Sequence, residues 1–274
     1  MKNIEKSVKK SKKNNIFRTF FNYFNNFLDK HIFPNDIKCI FCGKDIPSFY
    51  EKPYCFSCEK EIKLSTRNRC LICDLPINNE AKICDFCKTN HRHFKRLFTP
   101  LIYDNIVRKT LISYKKDNKR YLAKGFAITI YNYIKNYAND FDIITYVPLT
   151  KEKRKERSFN QSEYIAKELG KLLNIEVEEF LIKAKVTIEQ KTLNFQERKK
   201  NLLNSFKLKN IEKLKDKNVL LVDDIITTCA TIDECSRVLS KYAKNVYATA
   251  PARVEKIDWN VKQNFILFFK FNKN

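Results

Sequence analysis

Four cysteine pairs between Cys39 and Cys87 constrain this chain more than any other feature. They run Cys39-x2-Cys42, Cys55-x2-Cys58, Cys70-x2-Cys73 and Cys84-x2-Cys87, separated by twelve, eleven and ten residues. Two sulfurs three positions apart on a tight turn ligate one ion, and two such turns complete a tetrahedral site. Eight thiolates therefore account for two zinc ions. A site closed by four thiolates leaves no position for water, so both ions are expected to be structural. One pair arises easily by chance; four at near-equal spacing do not, which argues against free or redox-active thiols. Pairing is open between two arrangements: consecutive pairs give tandem ribbons, interleaved pairs a cross-braced finger. Loops of 10–12 residues suit a short hairpin between consecutive knuckles and favour the ribbons. His91 and His93 follow the last knuckle two positions apart; they could substitute as ligands, but eight cysteines already satisfy two ions, which favours surface histidines.

In a secreted protein these cysteines would read as disulfides. The first thirteen residues carry six lysines against one glutamate, and the apolar stretch that follows has no small-residue cleavage site. No stretch approaches the roughly 20 apolar residues that cross a bilayer. A reducing, cytoplasmic location is expected, where paired cysteines hold metal. The 274 residues suffice for one substantial domain plus a small one, and 43% hydrophobic residues supply a real core. Wholesale disorder is excluded on that ground. The formal charge of +23 points to polyanions such as nucleic acid, anionic lipid or phosphorylated substrates, or else to a lysine-rich solvated surface.

Residues 1–36 read as a basic tail and an amphipathic helix. Phe17, Phe20, Phe21, Phe24, Phe27, Leu28 and Ile32 recur at mostly three- and four-residue intervals before Pro34. That face suits packing on the body or a partner subunit, or peripheral membrane contact through residues 16–33. The cysteine module occupies 37–93. A strand-like run over Arg96–Tyr103 leads to helices near Ile106–Tyr114 and Tyr121–Tyr137, then a buried strand over Phe141–Val147 ending at Pro148. A helix over Asn160–Leu173 precedes a charged segment, Lys183–Lys217. The strongest strand, Val219–Val222, runs straight into Asp223-Asp224; a helix (Thr231–Tyr242) and a strand (Asn245–Ala250) follow. Strands alternating with helices predict a parallel α/β sheet. That domain is expected to span 94–253, with a C-terminal extension over 254–274.

The segment VLLVDDIITTCAT, Val219–Thr231, carries the candidate chemistry. A buried strand delivers two adjacent carboxylates, then a hydroxyl-rich turn, then a helix. Ligands bind at the carboxyl ends of strands in open α/β sheets. Backbone N–H groups at a helix start, with threonine hydroxyls, suit a phosphate dianion, and aspartates accept from vicinal sugar hydroxyls. An ordinary strand end followed by a capped helix, with both aspartates merely exposed, is the other reading of the same pattern.

This segment resembles the phosphoribosyl pyrophosphate (PRPP) signature of type I phosphoribosyltransferases, and the chain resembles the ComF/GntX family, their competence-associated branch. The resemblance covers about residues 28–253. Phe33–Cys42 (FPNDIKCIFC) is similar to the family's lead-in to a double zinc ribbon. Tyr103, Arg108 and Lys115 fall on a Tyr…Arg…Lys helix pattern; Val147-Pro148-Leu149 with Arg157, Phe159, Asn160 and Gln161 match a VPL…RGFNQ block. Thr187, Gln190, Leu193, Arg198, Asn201 and Phe206 match a further block in spacing and identity. The resemblance implies a phosphoribosyltransferase-like parallel sheet flanked by helices, preceded by a small double zinc ribbon. It implies that Asp223 and Asp224 hold the ribose hydroxyls, with Mg²⁺ bridging sugar and pyrophosphate. Thr227, Thr228 and Thr231, with the amides of Cys229 and Ala230, would hold the 5′-phosphate. The turn Pro148-Leu149-Thr150 would approach pyrophosphate, and a closing loop over Lys183–Phe206 would bring in Arg198 as the catalytic cation. DNA uptake proteins and incoming single-stranded DNA are the partners it implies.

Three glycines of the family pattern are replaced here, by Asn105, Ser158 and Cys229. Glycine serves where φ is positive or a phosphate must approach closely. Asparagine tolerates the left-handed region, whereas a cysteine is accommodated only at an ordinary φ, and its thiol would crowd a phosphate. Cys229 also sits near a helix N-terminus, a setting for a nucleophile, but no general base is evident nearby. For nucleic acid, Lys151–Arg157 holds five basic residues against two glutamates, and Lys191–Lys217 nine against three acids. Either stretch could serve pyrophosphate instead. Aromatics in the ribbons (Phe41, Tyr54, Phe56, Phe86) could stack on bases or fill the small modules' own cores.

Overall fold

The computed structural model describes residues 37–47, 50–62, 68–77, 81–150, 154, 158–183 and 203–255. The basic tail, the helix expected at 16–33, Lys151, Lys153, Lys155, Arg157, the interior of the expected closing loop with Thr187, Gln190, Leu193, Arg198 and Asn201, and the extension beyond 255 lie outside the described residues. Contacts group the chain into two compact units, Met1–Cys55 and Phe56–Asn274.

In the first unit, β1 (Ile37–Lys38) pairs antiparallel with β2 (Asp45–Ile46) around a tight knuckle. The Cys39 amide donates to Lys44 O and the Gly43 amide to Cys39 O, both at 2.8 Å. This turn holds Gly43 at φ +74°, a left-handed conformation that glycine enters without steric penalty.

The second unit opens with a short helix, α1 (Phe56–Glu61), and later carries α2 (Asp85–Thr89) behind the fourth cysteine pair. The knuckle turn recurs at Cys70, whose amide donates to Leu75 O while the Asp74 amide donates to Cys70 O. Asp74 takes the place of Gly43 at φ +58°, which aspartate tolerates better than most residues. Its carboxylate is then put to use. It accepts from Arg69 Nη1 (2.5 Å), the Thr99 amide (2.6 Å), Thr99 Oγ1 (2.7 Å) and Tyr133 OH (3.2 Å).

Four strands, β3 (Arg96–Phe98), β5 (Ile143–Tyr146), β8 (Asn218–Val222) and β9 (Asn245–Thr249), form one sheet in the order β3-β9-β8-β5, every pair parallel. The expected strand over 96–103 is two: β3 ends before Pro100, which has no amide to give a ladder, and β4 (Leu101–Ile102) pairs instead with β10 (Ala252–Arg253). An antiparallel pair, β6 (Leu181–Lys183) with β7 (Phe206–Leu208), stands at the two ends of the segment expected to form a loop.

Helices α3 (Asn105–Lys116), α4 (Leu122–Ile134), α5 (Gln161–Leu173), α6 (Ile211–Leu214) and α7 (Ala230–Leu239) complete the fold. In β8 all of Val219–Val222 are fully buried, the continuous apolar run of a strand covered on both faces. Val219 and Leu221 face a core shared with Ile232, Cys235, Val238 and Leu239 of α7 and with the second knuckle pair. By alternation Leu220 and Val222 face the opposite layer, where α4 and α5 pack on each other and α5 reaches β5 and β8. Among the described residues no helix is long and apolar enough to cross a membrane.

Gly170 of α5 is a tight point of that layer. A Cβ there would stand 2.5 Å from Val177 Cγ2 and 2.8 Å from Ile175 O, and a backbone oxygen cannot rotate aside. Gly170→Ala should therefore lower the urea unfolding midpoint. Overpacking costs about 1–3 kcal/mol, which outweighs the ~1 kcal/mol that alanine adds in helix propensity.

Candidate functional site

The cysteines assemble as consecutive pairs. Cys39, Cys42, Cys55 and Cys58 form one set and Cys70, Cys73, Cys84 and Cys87 the other, with all sulfurs of a set within 4.8 Å of one another. Cys42–Cys55 and Cys73–Cys84 sulfurs lie 3.7 and 3.6 Å apart. A tetrahedron with zinc–sulfur bonds of about 2.3 Å has sulfurs about 3.8 Å apart, so both sets fit structural zinc. His91 and His93 belong to neither set. The His93 amide instead donates to Asp233 Oδ1 (2.9 Å), which its ring approaches at 3.5 Å.

The carboxylates lie where the central strand leaves the sheet. Tyr146 of β5 is in register with Val222 of β8, so Val147–Thr150 and Asp223–Asp224 emerge side by side. The Val147 amide donates to Val222 O (3.0 Å) and the Asp223 amide to Thr249 O (2.9 Å). Pro148 and Thr150 are buried and Leu149 is half-buried.

The block Phe159–Ser162 is stitched beneath this point. Asn160 caps α5 by accepting the Ser162 amide (3.1 Å) and donates its Nδ2 to Val147 O (3.0 Å). Ser162 Oγ then donates to Asp223 Oδ1 (3.1 Å). Tyr114, fully buried against Phe159, donates its hydroxyl to Gln161 O (2.9 Å). Of the replaced glycines, Ser158 is exposed and offers its carbonyl to Arg120 (3.3 Å). Asn105 follows Asp104, the cap of α3, at φ +40°.

Asp223 is 9% exposed. Burial, then the neighbouring Asp224 charge, push its pKa from 3.8 up to about 7, against the pull of the Asp224 amide, Lys115 and Ser162. Asp224 is more accessible and pairs with Lys115, whose Nζ lies 3.0 Å from its carboxylate. Sequence reasoning placed Lys115 on a helix pattern without a partner. The structure gives it one 109 residues away.

The turn after the carboxylates runs into α7 with Thr228 and Cys229 buried and Thr227, Ala230 and Thr231 half-buried. Thr228 Oγ1 accepts the Ala230 amide at 3.4 Å. Cys229 stands at φ +64°, ψ 2° as the N-cap of α7. This is not the ordinary φ at which a cysteine fits freely; left-handed backbone costs a residue with a Cβ about 1–2 kcal/mol. The same rotation sends the thiol inward. It joins the buried cluster that holds Cys70, Cys73, Cys84, Cys87 and Phe94. Burial pushes its pKa up, the opposite of what a thiolate nucleophile needs.

Three buried residues carried no sequence signal: Arg92, Asp233 and Arg253. Asp233 Oδ2 lies 4.0 Å from Arg92 Nη1, and Arg253 Nη1 donates to the Cys73 carbonyl. Only the fold brings them together.

No family model matches the chain. Individual proteins do. Competence protein F of Haemophilus influenzae is 24% identical over 213 residues, covering 75% of this chain and 92% of its own. Competence protein ComFC of Bacillus subtilis is 22% identical, covering 71% and 80%. DNA utilization protein YhgH of Escherichia coli is 24% identical, covering 68% and 83%. The chain is thus a low-identity homologue of these proteins. Among solved structures, a purine phosphoribosyltransferase from Pyrococcus horikoshii superposes over 50% of this chain and 85% of its own at 16% identity, with a TM-score of 0.32. That superposition is loose.

Two expectations follow from the strand end and its turn. Because the folded pKa of Asp223 is raised, the folded state keeps a proton that the unfolded chain releases, so this contribution to stability is complete below the unfolded value of 3.8 and lost as pH rises through about 7. Thermal unfolding should show Asp223→Asn gaining on the native chain between about pH 5 and about pH 8. At position 229, alanine keeps the left-handed strain while losing the thiol's packing, whereas glycine relieves the strain. Cys229→Gly should therefore be more stable than Cys229→Ala by about 1 kcal/mol in chemical denaturation.

Proposed function

We propose that this homologue of competence and DNA-utilization proteins is a phosphoribosyltransferase-like protein that binds PRPP at the carboxyl end of β8 and serves the handling of incoming single-stranded DNA. One observation carries the reading: an adjacent carboxylate pair, the first of them buried, at the end of the central parallel strand, followed at once by a hydroxyl-rich turn and a helix N-terminus. Asp223 and Asp224 would accept from the ribose hydroxyls. Thr227, Thr228 and Thr231, with the amides of Cys229 and Ala230, would hold the 5′-phosphate. Pro148-Leu149-Thr150, beside Asp223 at the end of β5, would border the pyrophosphate, and Arg198 would contribute charge from the segment between β6 and β7.

The carboxylate pair offers the hard oxygen donors that Mg²⁺ takes, and that ion would supply charge neutralisation at the pyrophosphate. As pyrophosphate leaves, the sugar becomes electron-poor, and a dry, preorganised site limits its capture by water. Lys115 balances Asp224 and so lets two adjacent carboxylates share a site that would otherwise repel ionisation of both. The same reading divides the chain into a zinc ribbon module at 37–93 and a PRPP domain at 94–253, in a cytoplasmic protein whose residues 16–33 contact a partner or a membrane surface.

A second reading keeps the PRPP fold as a non-catalytic scaffold or sensor that binds single-stranded DNA. The strained Cys229 in a glycine position favours it. Against a strong DNA surface, Lys209 and Lys213 are engaged by Glu179, Glu176 and Glu178, which lowers the charge available to phosphates.

Calorimetry with PRPP and Mg²⁺ tests the first reading. The native chain should show saturable heat. Asp223→Ala with Asp224→Ala should weaken it at least about tenfold, since a hydrogen bond to a charged group contributes about 1.5–3 kcal/mol. Absence of heat, or heat unchanged in the double variant, would sink it. Pyrophosphate release without binding loss separates turnover from scaffold.

A further inference from the structure

The second cysteine set is enclosed by buried positive charge that neither the zinc count nor the PRPP reading uses. Three arginines approach it. Arg69 has its charge paired locally, 2.5 Å from Asp74, although its Nε and Nη2 are buried without a partner. Arg253 is 2% exposed, donates to the Cys73 carbonyl, and has a buried Nε with no partner. Among the described residues it has no carboxylate within 4.0 Å. The Arg92 side chain is 5% exposed and stacks on Phe86 at 4.5 Å and Phe94 at 5.9 Å. Among the described residues its one carboxylate contact is Asp233 at 4.0 Å, and its Nε is also unpartnered.

Buried cations without counter-charge are costly. Four thiolates around one zinc ion carry a net charge of about −2, equal and opposite to two guanidinium groups. The first cysteine set has no such arrangement: no arginine occurs between Ile37 and Ile62, and Cys42 is exposed.

We propose that Arg92 and Arg253 are the internal counter-charges of the zinc site at Cys70, Cys73, Cys84 and Cys87, and that through Asp233 and Cys229 they tie its occupancy to the shape of the turn opening α7. Asp233 sits in the first turn of α7, held by the His93 amide and faced by Arg92. The Cys229 thiol is buried in the same cluster as the four ligands, within the field of both arginines. Zinc loss leaves Arg253 without a counter-charge and Arg92 with Asp233 alone, beside the residue that fixes the left-handed start of α7. Arg92 and Arg253 are positioning residues here. That the coupling governs ligand binding rests on reading the turn as a phosphate site; the coupling itself does not.

The test uses the full-length, zinc-loaded chain and a chromogenic chelator. The native protein should release two zinc ions in two phases, with Cys42→Ser removing the fast one. Arg92→Met and Arg253→Met should accelerate the slow phase about 10- to 100-fold, the usual cost of losing an outer-shell partner of a metal ligand, and leave the fast phase alone. With ¹¹³Cd in place of zinc, only the second-site resonance should shift, and the amide signals of Cys229 to Thr231 should move with it. Arg253→Lys, which keeps the charge and loses the planar fork, should fall between and covers the case in which the methionine variants do not fold. Unchanged slow release, or an unchanged second-site resonance in these variants, overturns the proposal. No readout uses PRPP, so failure of the PRPP reading would leave these results standing.

Discussion

A strand buried on both faces that ends in two carboxylates must come out of its apolar surroundings somewhere, and in β8 it does so one residue late. Val222 is fully buried and Asp223, immediately after it, is only 9% exposed. The desolvation that makes β8 a strong core strand thus acts on the first carboxylate of the site and raises its pKa. The surroundings answer with Ser162, the Asp224 amide and Lys115. Ser162 and Lys115 come from helices held in place by contacts of their own. Asn160 links α5 to the end of β5, and Tyr114 links α3 to the start of α5. The site is therefore the end of the core, and its electrostatics follow from how far the core extends.

The cysteine pairs show how one local turn serves two purposes. Both Cys39 and Cys70 begin a knuckle that requires a left-handed residue five positions in, counting the first cysteine as one. Glycine supplies it at 43 and aspartate at 74. The aspartate's side chain joins Arg69, Thr99 and Tyr133, so the second knuckle is bound to the junction of β3 and β4 and to α4. Its four cysteines also share a hydrophobic core with Val219, Leu221 and α7. Read from spacing, the four pairs look like equivalent repeats. In the structure the second set is part of the body that carries the carboxylates, and the thiol of Cys229 lies in that same cluster.

Local signals were strong enough for most elements. Helices at 105–116 and 161–173 and strands at 143–146, 218–222 and 245–249 follow apolar periodicity closely, because their buried faces repeat at helix or strand spacing. Pro100, which has no backbone donor, splits the run over 96–103, and β6 and β7 are too short to show a period. The pairing of the cysteines followed from loop length, and the carboxylates from their place at the end of an apolar run. What periodicity could not show was anything that depends on distance across the chain. Lys115 meets Asp224 over a separation of 109 residues, Arg253 meets Cys73 over 180, and His93 meets Asp233 over 140.

By itself the sequence determined the candidate metal ligands, the parallel α/β class and the carboxylate–hydroxyl segment, since each is written in local spacing and periodicity. Only the tertiary structure decided which of two adjacent aspartates is buried, where the Cys229 thiol points, and that the second cysteine set lies in the same core as α7. The reason is physical. Spacing sets which groups can share a turn, but burial, charge balance and the sign of φ at a crowded position are set by what packs against it from far along the chain.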